Sequence, residues 1–177
     1  MTEQELIAAL QQNDAKAQRH IYEKYGCRLL TLCKRYVKDS FEAEDIMING
    51  FMKIFSSIAN FENKGSFEGW MKRIMVNEAL MHLRKKEPMH LSIDNEYDVF
   101  ESDARSDHDL DAEELLQLLA ELPAGYRAVF NLYAIEGYSH KEIAGLMNIS
   151  EGASKSQLSK ARAALQRKLG NLTPSLA

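Results

Sequence analysis

The sequence predicts an all-α protein: two small helical domains joined by a flexible acidic linker. Three observations carry that expectation. Apolar residues recur at helical spacing, and the N-terminal part holds no convincing strand. Helix-opening signatures, a Ser or Asp with Glu three residues on, stand before several of the periodic runs. The charge is segregated along the chain. The expected domains are residues 1–90 and 111–177, with residues 91–110 as the linker.

The net charge of −4 conceals this segregation. Residues 71–86 carry five basic residues and one acidic, and residues 139–177 carry six basic and two acidic, so each segment is net +4. Between them, residues 87–122 hold twelve acidic residues and one Arg, net −11. Two basic patches flank an acidic strap, so the overall balance is a poor guide to partners. The strap is rich in Asp, Glu and Ser and lacks regular apolar spacing, as a solvated tether would be. Acidic segments also compete with nucleic acid for basic surfaces, and both readings stand at this point.

In order, helices are expected over residues 3–12 and 14–37, then over residues 41–58 after a start at Asp39 and Glu42. On the third, Met47, Phe51, Ile54 and Ile58 form a core stripe. Its other side carries Asp45, Asn49, Met52 and Ser56, with Ile48 at the edge; this is either a protein-docking face or an ordinary solvated one. Asn60 to Gly65 make a polar loop containing Phe61, and Ser66 can cap the next helix. On that helix Phe67, Trp70, Met71, Ile74 and Met81 fall to one side, beside a polar and basic line of Arg73, Asn77 and Arg84. Aromatics next to cations suit single-stranded nucleic acid, where stacking is worth about 1–3 kcal/mol per base. The same spacing suits plain core packing, to which Trp70 is mainly assigned.

Helix resumes near Asp111. Farther on, Ser139 and Glu142 form a capping box, and Ala144 and Gly145 are small enough for a close crossing. Asn148 tolerates a left-handed turn, Ile149 pins that turn to the core, and Ser150 caps a final helix. There Leu158, Ala161, Leu165 and Leu169 share one face. Ser156, Lys160 and Arg167 lie roughly opposite, with Lys155 and Ser159 on the flank. This is a helix-turn-helix pattern, equally compatible with a helical hairpin bearing a solvated basic face.

Other chemistry is poorly served. The five histidines are dispersed and read as surface or capping residues. Cys27 and Cys33 match neither zinc nor disulfide spacing and read as buried free thiols. No glycine-rich phosphate loop or nucleophile elbow is present, so no enzyme, metal or cofactor is expected. No run of 18 apolar residues and no signal-peptide layout occurs, so membrane insertion is not expected and the cytoplasm is the expected compartment.

Two separated blocks resemble bacterial RNA polymerase sigma factors of the extracytoplasmic-function (ECF) type. AEDIMINGFMKIF (residues 43–55) and the following NFENKGSFEGWMKRIMVNEALMHLRKK resemble sigma region two. LLAELPAGYRAVFNLYAIEGYSHKEIAGLMNISEGASKSQLSKARAAL (residues 118–165) resembles region four. Within it, LP-x3-R-x-VF-x-L followed by EGYS-x-x-EIA is far more specific than a helix-turn-helix alone. The resemblance implies a subunit that binds core RNA polymerase and directs promoter-specific initiation, including promoter melting.

It also implies site residues. Asp45, Asn49 and Met52, with Glu42 and Ile48, would dock on the clamp helices of the largest polymerase subunit. The loop with Asn60, Phe61, Asn63, Lys64 and Ser66 would capture a flipped base of the minus-ten element. Trp70 would stand beside it, and Arg73, Asn77 and Arg84 would lie along the backbone and duplex edge. Lys155, Ser156, Gln157, Ser159 and Lys160 would face the minus-thirty-five major groove. The polymerase flap and an anti-sigma factor are further implied partners, and the linker would thread near the RNA exit path. Departures from the family pattern include Ile48 and Asn49 in place of Gln and an acidic residue. Ala153 and Ser154 replace Thr and Val, with Ser154 turned to the core side. Gln157 stands where Arg is common; Gln prefers adenine where Arg prefers guanine, which predicts an altered promoter base. The alternative function is a stand-alone helix-turn-helix regulator with an N-terminal sensor or dimerisation domain.

Overall fold

The computed structural model describes residues 2–86 and 112–172. The chain divides into two compact units, with the boundary between Lys86 and Glu87. The described residues are helical or in turns, with no strand among them. The expected linker, residues 91–110, lies outside the described residues.

The first unit is built from α1 (Glu3–Gln11), α2 (Ala15–Lys34), α3 (Ser40–Ser57) and α4 (Phe67–Lys86). Thr2 opens α1 with a reciprocal capping box to Glu5. Asn13 takes a left-handed φ of 56° to turn the chain, and Asp14 then accepts the Ala17 amide at 2.8 Å to start α2. α2 ends at Lys34, three residues short of the expected Val37. Tyr36 and Val37 are nonetheless buried, because the chain stays against the core as it turns into α3. Met47, Phe51 and Ile54 are buried on α3 as its periodicity requires, and Ile58 is buried in a short 3-10 turn beyond it. α3 and α4 pack closely at Gly50. A Cβ there would run into the sulfur and terminal methyl of Met75, so any larger residue requires the Met75 side chain to move. Cys33 is fully buried, and burial pushes its thiol up to about 12. Cys27, expected to be buried, is exposed instead, since a residue six positions from Cys33 is rotated about 120° around α2, off the core face.

The second unit comprises α5 (Ala112–Ala120), α6 (Ala124–Phe130), α7 (His140–Met147) and α8 (Glu151–Leu172). Leu118, Leu119 and Leu122 pack against Ala161 and Leu165 of α8. Pro123 stops α5 and opens α6. Arg127, only 4 % exposed, reaches back to the end of α5. Its Nε donates to the Leu119 carbonyl at 2.8 Å, and Nη2 donates to Leu122 at 2.7 Å and Ala120 at 3.3 Å. The cation thus adds to the bond that the Leu119 carbonyl already accepts from the Leu122 amide, and it caps the turn beyond α5, where the helix dipole also favours positive charge. This is the physical content of the LP-x3-R motif. After α6 a π-turn at Asn131–Ile135 and Gly137 at φ 79° lead into α7.

Candidate nucleic-acid interface

The helix-turn-helix forms as its local signals dictate. Ser139 and Glu142 make both arms of the capping box: the Ser139 amide donates to the carboxylate at 2.8 Å, and the Glu142 amide donates to Ser139 Oγ at 3.3 Å. Asn148 sits at φ 55°, ψ 49° and ends α7 in the left-handed conformation. Ser150 Oγ accepts the Ala153 amide at 3.0 Å and opens α8. Leu158, Ala161 and Leu165 are buried and Leu169 is half-buried, as expected. Gly145, expected at a close crossing, has open space around it; the tight approach of this unit lies at Gly125 on α6 instead.

Along α8, Lys155 and Ser159 are exposed, and Ser156 and Lys160 are half-buried. These four share an accessible polar surface. Gln157 does not join them: it is 9 % exposed and turned to the α6 side, beside Gly125. Ser154 is fully buried on the core side, as expected, where its Oγ lies 2.9 Å from His140 Nδ1. His140 also stacks on Tyr133 at 4.5 Å, and the Arg162 guanidinium sits 5.7 Å from the Tyr133 ring on the other contact. His140 is therefore half-buried and bridging, not a surface or capping residue, and its pKa is lowered by burial first and by Lys155 next. Sequence reasoning passed over Arg162. It is exposed one turn beyond Ser159, and its spacing of seven from Lys155 was the available signal.

In the first unit, Asn60 is exposed, as are Asn63, Lys64 and Ser66 in the following loop, which uses positive φ at Asn63 and Gly65. Ser66 Oγ accepts the Gly69 amide at 3.1 Å, as expected of a cap. Phe61 is buried, with ring centroids 5.3 Å from both Phe67 and Trp70. It forms the floor beneath the loop, while half-buried Trp70 supplies the accessible edge. α4 divides differently from the expectation. Phe67 and Met71 face the core, whereas Met81 is exposed and Ile74 only half-buried. At 100° per residue Trp70, Ile74 and Met81 fall with Arg73, Asn77 and Arg84 on the outer face, because the core arc centres on Met75 and Ala79.

On α3, Ile48 is 52 % and Met52 66 % exposed, between exposed Asp45 and Asn49. Phe41, 76 % exposed, extends the stripe by one turn; its place four residues before Asp45 was the signal for it. Glu42 departs from the expected capping box. Asp39 caps α3 by accepting the Phe41 and Glu42 amides at 2.7 and 3.1 Å, but the reciprocal arm from Glu42 is absent. The Glu42 carboxylate instead pairs with Lys86 and lies 3.3 Å from His82 Nε2, both on α4. The Lys86 hydrogen bond, then that of His82, holds the carboxyl below its usual range. It is thus engaged inside the unit and half-buried, behind the exposed stripe.

Among the described residues no group of His, Cys, Asp and Glu could hold a metal ion, and no helix is long and apolar enough to cross a membrane.

Both units have counterparts among known proteins. Residues 21–88 match the family model described as Sigma-70 region 2, and residues 112–165 match Sigma-70, region 4. The RNA polymerase sigma-H factor of Pseudomonas aeruginosa is 29 % identical over 94 % of this chain and 93 % of its own. The ECF RNA polymerase sigma-E factor of Escherichia coli is 28 % identical over 96 % of this chain and 95 % of its own. Two solved structures share the fold. CnrH, in complex with the cytosolic domain of CnrY, matches with TM-score 0.54 at 20 % identity, over 95 % of this chain and 97 % of that one. The sigma factor RpoE of Bartonella quintana, in complex with the anti-sigma factor NepR, matches with TM-score 0.56 at 24 % identity, over 86 % and 96 %. Matches to both sigma regions disfavour a stand-alone regulator whose first domain is a sensor. With the two regions in family order and the relatives aligned almost end to end, the chain belongs to the bacterial RNA polymerase sigma factors of the ECF type.

Proposed function

We propose that the two units divide promoter recognition between them while both are held on core RNA polymerase. The stripe of Asp45, Ile48, Asn49 and Met52, extended by Phe41, is the docking face for the clamp helices of the largest subunit, and Glu42 supports it from behind. The loop with Asn60, Asn63, Lys64 and Ser66 receives a flipped base of the minus-ten element over a floor of Phe61, with Trp70 at the rim. Unstacking a base costs a few kcal/mol, which loop contacts must offset. Arg73, Asn77 and Arg84 lie along the nucleic-acid backbone. Lys155, Ser156, Ser159 and Lys160 face the minus-thirty-five major groove, with Arg162 as an added phosphate contact. The second unit also meets the polymerase flap, and residues 91–110 thread near the RNA exit path. Tethered modules of modest affinity bind strongly only when presented together, which is what mounting on the polymerase provides.

The observation that carries this reading is the exposure of Ile48 and Met52 beside Asp45 on one helix face. Large apolar side chains left in water next to an acid mark a surface built for a protein. The phosphodiester chemistry belongs to the polymerase, and this chain supplies recognition and strand opening in the cytoplasm. An anti-sigma factor holds the free protein, a reading supported by the complex of the Bartonella quintana relative with the anti-sigma factor NepR.

The test is capture of purified core polymerase by the full chain. The wild type retains the large subunits. Asp45→Lys combined with Met52→Glu, helical by circular dichroism, loses capture by about tenfold or more, as hot-spot replacement does. Equal capture by the two proteins refutes the docking face.

A further inference from the structure

We infer that Gln157 is a positioning residue, wedged into a slot that Gly125 leaves open on α6, and that it reads no base. The inference rests on the reading of α8 as the helix that meets the upstream element. Gln157, Leu158 and Ala161 follow Ser154 at spacings of three, four and seven, so the four share an arc, and all are buried. Its amide occupies the space a side chain on α6 would fill. A Cβ at Gly125 would stand 3.1 Å from Oε1, 3.8 Å from Cδ and 3.9 Å from Nε2.

A Gln that reads adenine presents both its amide oxygen and its amide nitrogen to the base edge. Here both point to the opposite side from the exposed Lys155 and Ser159, and leaving the slot would open a gap between α6 and α8. Oε1 has no hydrogen-bond partner among the described residues. A buried amide oxygen without a partner gains nothing from its polarity, so length and shape are what the slot uses. The slot fixes how α8 sits on α6, and thereby the angle at which Lys155, Ser156 and Ser159 reach the groove. Base choice then falls to those neighbours.

The experiment pairs promoter selection with a double-substitution cycle, using the full chain bound to core polymerase and a library of duplex promoters randomised upstream. Gln157→Met keeps the length and drops the unpartnered oxygen. It is expected to select the wild-type base at every upstream position, with affinity within about twofold. Gly125→Ala crowds the amide and weakens promoter binding by about tenfold, and adding Gln157→Ser recovers most of that loss. A changed preferred base with Gln157→Met, or effects of the Gly125 and Gln157 substitutions that merely add, overturns the inference. If the wild type selects no upstream element, the reading of α8 fails instead. The cycle is then read from thermal midpoints of the full chain, where non-additive shifts support the slot and additive ones overturn it.

Discussion

Removing the Arg127 guanidinium should unfasten α5. The side chain is 4 % exposed and donates to three carbonyls, at 2.8 Å to Leu119, 2.7 Å to Leu122 and 3.3 Å to Ala120. A hydrogen bond from a charged group is worth about 1.5–3 kcal/mol when a buried partner is left behind. The bond to Leu122 dominates, since the Leu119 carbonyl keeps the Leu122 amide as a partner at 3.1 Å. The third is long and partly exposed and adds little. Arg127→Ala should therefore cost about 2–3 kcal/mol, the cost of leaving one buried acceptor without its charged donor. Arg127→Lys keeps the charge but not the fork, and should recover less than half of the loss. The assay is urea denaturation of the full chain followed by far-ultraviolet circular dichroism and by tryptophan fluorescence. Trp70 is the sole tryptophan and belongs to the first unit, so its transition is an internal control. The ellipticity transition should broaden toward lower urea while the fluorescence midpoint holds. A loss below about 1 kcal/mol, or an equal shift in both signals, would refute the capping account.

Two further outcomes follow from single contacts. Gly50→Ala drives a methyl group into Met75 and should destabilise the first unit by about 1–3 kcal/mol, with Met75→Val on the same chain restoring part of it; thermal melting by Trp70 fluorescence reads both. His140 has a folded pKa below its ordinary 6.5, through burial first and Lys155 second. The unfolded chain therefore takes up more protons as the pH falls below 6.5, so stability present above that value is lost as the pH drops toward the folded pKa. Groups facing the ring are Lys155, Glu151 and Arg162 of α8 and Tyr133 of the π-turn. His140→Asn should flatten the dependence of the melting midpoint between about pH 5 and 7, and an unchanged slope would place the titration elsewhere.

Much of the helix-turn-helix could be read from the sequence because its determinants are local. Ser139, Glu142, Asn148 and Ser150 act on backbone groups within a few residues, and each occupies the conformation its chemistry favours. The stripes on α3 and α8 were legible for the same reason: a helix repeats every 3.6 residues wherever it lies. What depends on a second element was not. Helical spacing leaves the place of Arg127 open, because its three carbonyl partners are defined only when α6 folds back on α5. Gln157 lies at the rim of the α8 stripe, and α6, nearly bare at Gly125, widens the buried arc to include it. Helical spacing groups Met81 with Phe67 and Met71, yet two packing partners set the core arc of α4 around Met75 and Ala79 instead. Glu42 was assigned by spacing to its own helix cap, whereas His82 and Lys86, some forty residues on, compete for the carboxylate.

Transcription in vitro with purified core polymerase and mapped transcript starts bears most directly on the central claim. Adding this chain should create start sites absent with core polymerase alone, each preceded by two short elements at constant spacing. No new starts with an active core enzyme, together with tight binding of the isolated chain to an operator, would contradict it.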